Sequence, residues 1–159
     1  MRGSRFHFLL SGLIAMVLLI ACQTKQLYEQ STIYPDHHWA SKQVNEYQFL
    51  IEDTVSAYKV FFVIRHHNAY HYKNIWLQLN TTAPNDSVSK QALNLNLADD
   101  EKGWLGSGMD DIYDQRIPIN TEPLHFKKGL YKFTLQHTMR EDPLDNILST
   151  GIRVEKVKS

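Results

Sequence analysis

The chain of 159 residues has a single cysteine, Cys22. That excludes an intramolecular disulfide and every metal centre built on paired thiolates. Neither sign of charge is in excess, because Lys plus Arg and Asp plus Glu each number 17. No surplus of cations exists to release counterions from nucleic acid or to grip an anionic bilayer, so a nucleic-acid partner is disfavoured. Glycine is sparse, and the three glycines of GWLGSGMDDIYD, Gly103 to Asp114, match neither the spacing nor the strand-then-helix setting of a phosphate or dinucleotide loop. The longest charge-free apolar run, Phe8 to Ala21, falls short of the roughly 20 residues that a membrane-spanning helix needs.

That run is informative in another way. Arg2 and Arg5 precede it and the small Ala21 closes it, the order of a secretory signal peptide over residues 1–21. The next residue is the lone cysteine. LIAC, Leu19 to Cys22, resembles the lipobox of bacterial lipoproteins, in which the thiol receives a diacylglycerol and, after cleavage, becomes the acylated N-terminus. Each buried methylene adds roughly 0.8 kcal/mol, and two or more acyl chains anchor stably where one is marginal. Cys22 is thus expected to be the lipidation site and membrane tether. Cleavage leaves 15 basic and 17 acidic side chains. Residues 22–43 are polar and without regular periodicity, and are expected to form the lipidated N-terminus and a flexible tether, with Trp39 the first residue to dock on the domain.

From Val44 onward the pattern has period two, and residues 44–159 are expected to form one domain. Tyr131, Phe133, Leu135 and His137 alternate with Lys132, Thr134 and Gln136; Ile75, Leu77 and Leu79 alternate with Trp76, Gln78 and Asn80. Such segments are half-buried strands. YKVFFVIRH, Tyr58 to His66, is apolar on both faces at its middle, which predicts a central strand covered on both sides. Further runs at 44–51, 93–97, 116–120 and 152–157 are separated by turn-forming segments such as APND and DPLDN. The expected fold is all-β, an antiparallel β-sandwich of roughly eight strands, with immunoglobulin-like and jelly-roll topologies both open.

Seven histidines follow the apolar leader, but none shows the spacing of a metal site, and adjacent pairs such as His66 and His67 point to opposite faces of a strand. No nucleophile elbow, placed carboxylate pair or cofactor fingerprint occurs, so neither catalysis, a metal nor a cofactor is expected. Two loops carry the residue types that concentrate binding energy. The GWLGSGMDDIYD excursion offers Trp104, Asp110, Asp111 and Asp114, and MREDPL offers Arg140 and Asp142; these six are the candidate partner-binding residues. Trp39, Trp76, Trp104 and Tyr113 are the aromatics on which a glycan, the alternative ligand, would stack.

The lipobox, YKNIWLQL, GWLGSGMDDIYDQRIPI, GLYKFTLQHTMREDPL and TGIRVEKV together resemble the GldH gliding-motility lipoproteins of Bacteroidetes. The resemblance implies a noncatalytic envelope component needed for gliding and tied to the type IX secretion machinery, with other envelope proteins as partners. It also implies a lipid-anchored place in the cell envelope. Surface-exported lipoproteins of that phylum look acid-rich just after the cysteine, whereas Gln23 to Gln26 include no acid. The expected site is therefore the periplasmic face of the outer membrane.

Overall fold

The computed structural model describes residues 26–157, which contain strands and turns and no helix. In chain order the strands are β1 (Gln26–Ile33), β2 (His38–Trp39), β3 (Asn45–Ile51), β4 (Tyr58–His67), β5 (Asn74–Thr82), β6 (Val88–Asn96), β7 (Ala98–Asp99), β8 (Gly103–Trp104), β9 (Ser107–Met109), β10 (Ile112–Pro118), β11 (Gly129–His137), β12 (Leu144–Asp145) and β13 (Ile147–Lys156). Two antiparallel sheets form the sandwich, one in the order β1-β13-β4-β10-β9 and the other β3-β11-β5-β6; β2 with β12 and β7 with β8 make two short ribbons.

Alternation decides what lies between the sheets. Tyr47, Phe49 and Ile51 of β3, Ile75, Leu77 and Leu79 of β5, and Tyr131, Phe133 and Leu135 of β11 are buried, facing Val60, Phe62 and Ile64 of β4 and Ile152 and Val154 of β13. A one-residue slip would turn each of these outward, so burial itself fixes the register. Phe49 is the hub of an aromatic cluster, with ring centroids at 5.1 Å from Phe133, 5.7 Å from Tyr131 and 5.3 Å from Tyr28. β4 is central in its sheet, as expected, but among the described residues only one of its faces is covered by a second layer of strands: Phe61 and Val63 are half-buried on the outside.

The expected tether over 22–43 is corrected from Gln26 onward. Residues 26–33 form β1, paired with β13 from Gln26 opposite Glu155 to Ile33 opposite Ser149. Tyr34 is buried, its hydroxyl 2.7 Å from Thr150 Oγ1 and accepting from Asn45 Nδ2 at 2.5 Å. Trp39 is buried too, donating from Nε1 to the Gln43 carbonyl at 3.0 Å. Glycine makes the edge pairing possible: a Cβ at Gly151 would collide with the Gln30 carbonyl oxygen and Ser31 Oγ and lie 2.9 Å from Ser31 Cα. Polar composition hid this strand because β1 is an edge strand whose outer face is solvated. Residues 1–25, with the expected signal peptide and Cys22, lie outside the described residues.

The topology gives the sandwich two poles. Gln26, the β3–β4 loop, the β5–β6 turn and the β10–β11 crossover lie at the lower pole, where Tyr58 pairs with Lys156 and Ile51 with Gly129. The β4–β5, β9–β10 and β11–β12 connections lie at the upper pole, where His67 pairs with Ile112.

Candidate functional site

At the upper pole the three connections are tied into one surface. The β9–β10 hairpin turns through Asp110, whose φ of 53° lies in the left-handed region that Asp tolerates better than most residues. Asn68, from the β4–β5 loop, reaches it twice: its backbone N–H donates to the Asp111 carbonyl at 2.7 Å and its Nδ2 to Asp111 Oδ1 at 2.9 Å. His71, on the same loop, pairs with Glu141 of the β11–β12 loop at 3.0 Å. Asn146 Nδ2 donates to the Ala69 carbonyl at 3.1 Å. One loop therefore bridges the two segments that carry the six candidate residues.

Those residues fall into different roles. Asp114 stands opposite Arg65 in the strand register and takes a forked pair of hydrogen bonds, Nε to Oδ1 at 2.7 Å and Nη2 to Oδ2 at 2.9 Å. Asp142 accepts from the backbone N–H of Ser41 at 2.7 Å and from its hydroxyl at 2.6 Å; these bonds hold its carboxyl below the usual pKa. Asp111 is held by Asn68. Asp110 and Arg140 are exposed, and neither forms an ion pair among the described residues. Within MREDPL, Glu141 turns to His71 and Asp142 to Ser41, so the segment does not pair with itself.

Trp104 is half-buried against the core. Its ring lies 4.7 Å from His66, edge on, and 6.0 Å from Tyr113; Tyr70 completes the box at 5.6 Å from the imidazole. His66 is fully buried. Its Nδ1 is 2.9 Å from the His67 carbonyl, which makes that nitrogen the donor, while Nε2 has no partner among the described residues. Burial lowers the pKa of His66, against the opposing pull of the His67 backbone and Asp114, so the ring is a neutral packing element at neutral pH. His137, buried against Trp39 at 5.1 Å, is likewise depressed by burial. Among the described residues no three His, Cys, Asp or Glu side chains converge as a metal would require.

Two hollows of about 470 and 550 Å³ adjoin on the outside of the five-stranded sheet, sharing Arg65, Ser107 and Asp114. Neither is lined by a Phe, Tyr or Trp ring. A third, of about 500 Å³, lies on the outside of the other sheet, lined by Tyr72, Asn74, Trp76, Thr138, Met139 and Arg140. Trp76 is 44% exposed there, and its backbone N–H points at Met139 Sδ, 3.2 Å away. Of the four aromatics expected to serve a glycan, Trp39 is sealed in the core and Trp104 and Tyr113 belong to the His66 box, which leaves Trp76. Tyr72, Asn68 and Glu141 are site residues that alternation could not single out, because their roles depend on loop-to-loop contacts.

The family model and the similar proteins agree with one another. The GldH lipoprotein family model matches residues 26–154, from the first residue of β1 into β13. The chain is 24% identical over 151 residues to the gliding motility lipoprotein GldH homolog of Christiangramia forsetii, covering 91% of this chain and 92% of that protein. It is 24% identical over 151 residues to the gliding motility lipoprotein GldH of Flavobacterium johnsoniae, covering 91% and 93%. Among solved structures, dimeric latent PorU from Porphyromonas gingivalis matches 86% of this chain with 14% of its own, at a TM-score of 0.34 and 9% identity, a likeness too weak to bear on fold or function.

Proposed function

The chain belongs to the GldH lipoprotein family, and on that premise we propose that it is a noncatalytic component of the gliding-motility and type IX secretion apparatus that works by docking other envelope proteins. In this reading Cys22 carries the lipid, the protein sits at the periplasmic face of the outer membrane, and the upper pole meets the partner. The observation that carries it is the clipped upper surface. Asn68 and His71 lock the three loops together and Asn146 ties the β12–β13 turn to the same support, so recognition residues are displayed on a rigid support, which keeps the entropy cost of binding low. Asp114, Asp111 and Asp142 build that support, and Asp110, Arg140 and Met109, which is 78% exposed, are left to face a partner.

A second reading, glycan binding, draws on one feature: Trp76 with Tyr72, Asn74 and Arg140 around one hollow, an aromatic platform flanked by polar groups. One experiment separates the two. In a deletion strain, Arg140→Ala and Met109→Asp are expected to reduce spreading, secretion and co-purified envelope proteins while leaving the melting temperature unchanged; Trp76→Ala should do little. Normal movement and secretion in the deletion strain itself would reject the motility reading. Loss of function from Trp76→Ala with Met109→Asp behaving as wild type would favour the glycan, since Arg140 lines that hollow too.

A further inference from the structure

Resting on the reading that Cys22 is acylated, we propose that the lower pole of the sandwich seats directly on the bilayer, with Val55, Leu124 and Leu130 entering the headgroup layer. The first argument is reach. β1 is already paired at Gln26, so the chain from Cys22 to Gln26 can span at most about 14 Å even fully extended. The ten residues of β4 extend roughly 33 Å from the lower pole to the upper. An acyl chain attached at Cys22 therefore brings the lower pole to the membrane, and no protein of ordinary thickness fits between them.

The second argument is composition. Of the ten large apolar side chains exposed on the described surface, six are at the lower pole or the lower ends of its strands: Leu27, Leu50, Val55, Val88, Leu124 and Leu130. All six are aliphatic. Leu130 and Leu50 are cross-strand partners, so they form one continuous patch. Val55, 87% exposed, is held out by design of its loop. Asp53 accepts from the backbone N–H groups of Val55 at 3.0 Å and Ser56 at 3.1 Å, from the Ser56 hydroxyl at 2.7 Å, and from Lys156 Nζ at 2.8 Å.

The third argument selects the lipid. Among the described residues at this pole Lys59, Lys127, Lys128, Arg153 and Lys156 are matched by Glu52, Asp53, Asp86, Glu122 and Glu155, with Lys156 paired to Asp53, Lys127 to Asp86 and Arg153 to Glu155. With these charges of the described residues in balance, the contact is apolar and does not depend on anionic headgroups; lysine stems lie along the interface with their ammonium groups in water. Salt should not release it.

Acylation also supplies the test, since it leaves the full-length mature protein without a free thiol and makes any introduced cysteine unique. Val55→Cys and Met109→Cys are each labelled with an environment-sensitive fluorophore, and the acylated protein is reconstituted into phosphatidylethanolamine vesicles containing nitroxide-headgroup lipid. The label at 55 is expected to shift to the blue and to be quenched several-fold more than the label at 109, equally in low and high salt. Protein that floats with the vesicles while the label at 55 keeps its aqueous emission retains the tether and overturns the seating. Protein that does not float overturns the tether reading and the seating with it.

Discussion

Gly151→Ala is the sharpest probe of the strand that polar composition concealed. The added methyl carbon would sit 2.9 Å from Ser31 Cα and closer still to the Gln30 carbonyl oxygen and Ser31 Oγ, where carbon atoms rest at about 3.5–4.0 Å. Roughly 0.6–1.1 Å must be found, and two of the three obstructing atoms are β1 backbone, so a rotamer change cannot supply it. Overpacking of this kind costs about 1–3 kcal/mol. For a domain of this size that is a fall in melting temperature of roughly 3–12 °C. The loss should be local: amides of residues 28–33 should exchange faster with solvent, while the β3–β11 ladder keeps its protection. Unchanged melting and unchanged protection would mean that β1 is not seated on β13, and the lower-pole argument, which depends on Gln26 being fixed, would fail with it.

Two other outcomes are expected. Phe133→Ala, at a position 3% exposed and edge-on to Phe49 at 5.1 Å, should cost about 3–5 kcal/mol in chemical denaturation; an unchanged midpoint would refute the assignment of the β11 face. Acid should destabilise the domain through His66 and His137, whose pKa values burial depresses. The unfolded chain takes up these protons first, so stability is intact above about pH 6.5 and falls with pH toward the folded values; His137→Leu should flatten the melting temperature measured across that window, and a slope unchanged by the substitution would count against the mechanism.

Much of the fold could be read in advance because alternation is a local signal. The β3, β5 and β11 faces follow directly from residues two apart, and Trp76 fell opposite Ile75 and Leu77 on that pattern alone. What escaped depends on contacts distant in sequence. β1 carries Glu29, Gln30 and Ser31 because its outer face is wet, and only the pairing with residues 149–155 marks it as a strand. The double apolar face of β4 suggested a second covering layer, yet Phe61 and Val63 are merely half-buried beside polar neighbours: Glu29 bonds Arg153, which also bonds Glu155, and this network roofs part of the outer face. β10 begins at Ile112, earlier than the 116–120 run, because its first residues alternate weakly.

The candidate acids show why residue type is an incomplete guide to a docking surface. Asp111, Asp114 and Asp142 are candidate partner-binding residues by type and loop position, but each carboxylate has a donor in its own chain: Asn68, Arg65 and Ser41. Drawing any of them to a partner would require breaking such a bond first, and an exposed ion pair returns little for doing so. In the docking reading proposed above their contribution is positional, because removing them would loosen the loops that hold Asp110, Met109 and Arg140 in place. Arg140 differs, since its guanidinium can fork onto a carboxylate without giving up an ion pair among the described residues. Binding energy at the upper pole should therefore concentrate in Arg140 and Met109. Substitutions of Asp111 or Asp142 should act through loop order, visible as faster hydrogen exchange in residues 68–73 and 138–143 before any loss of partner.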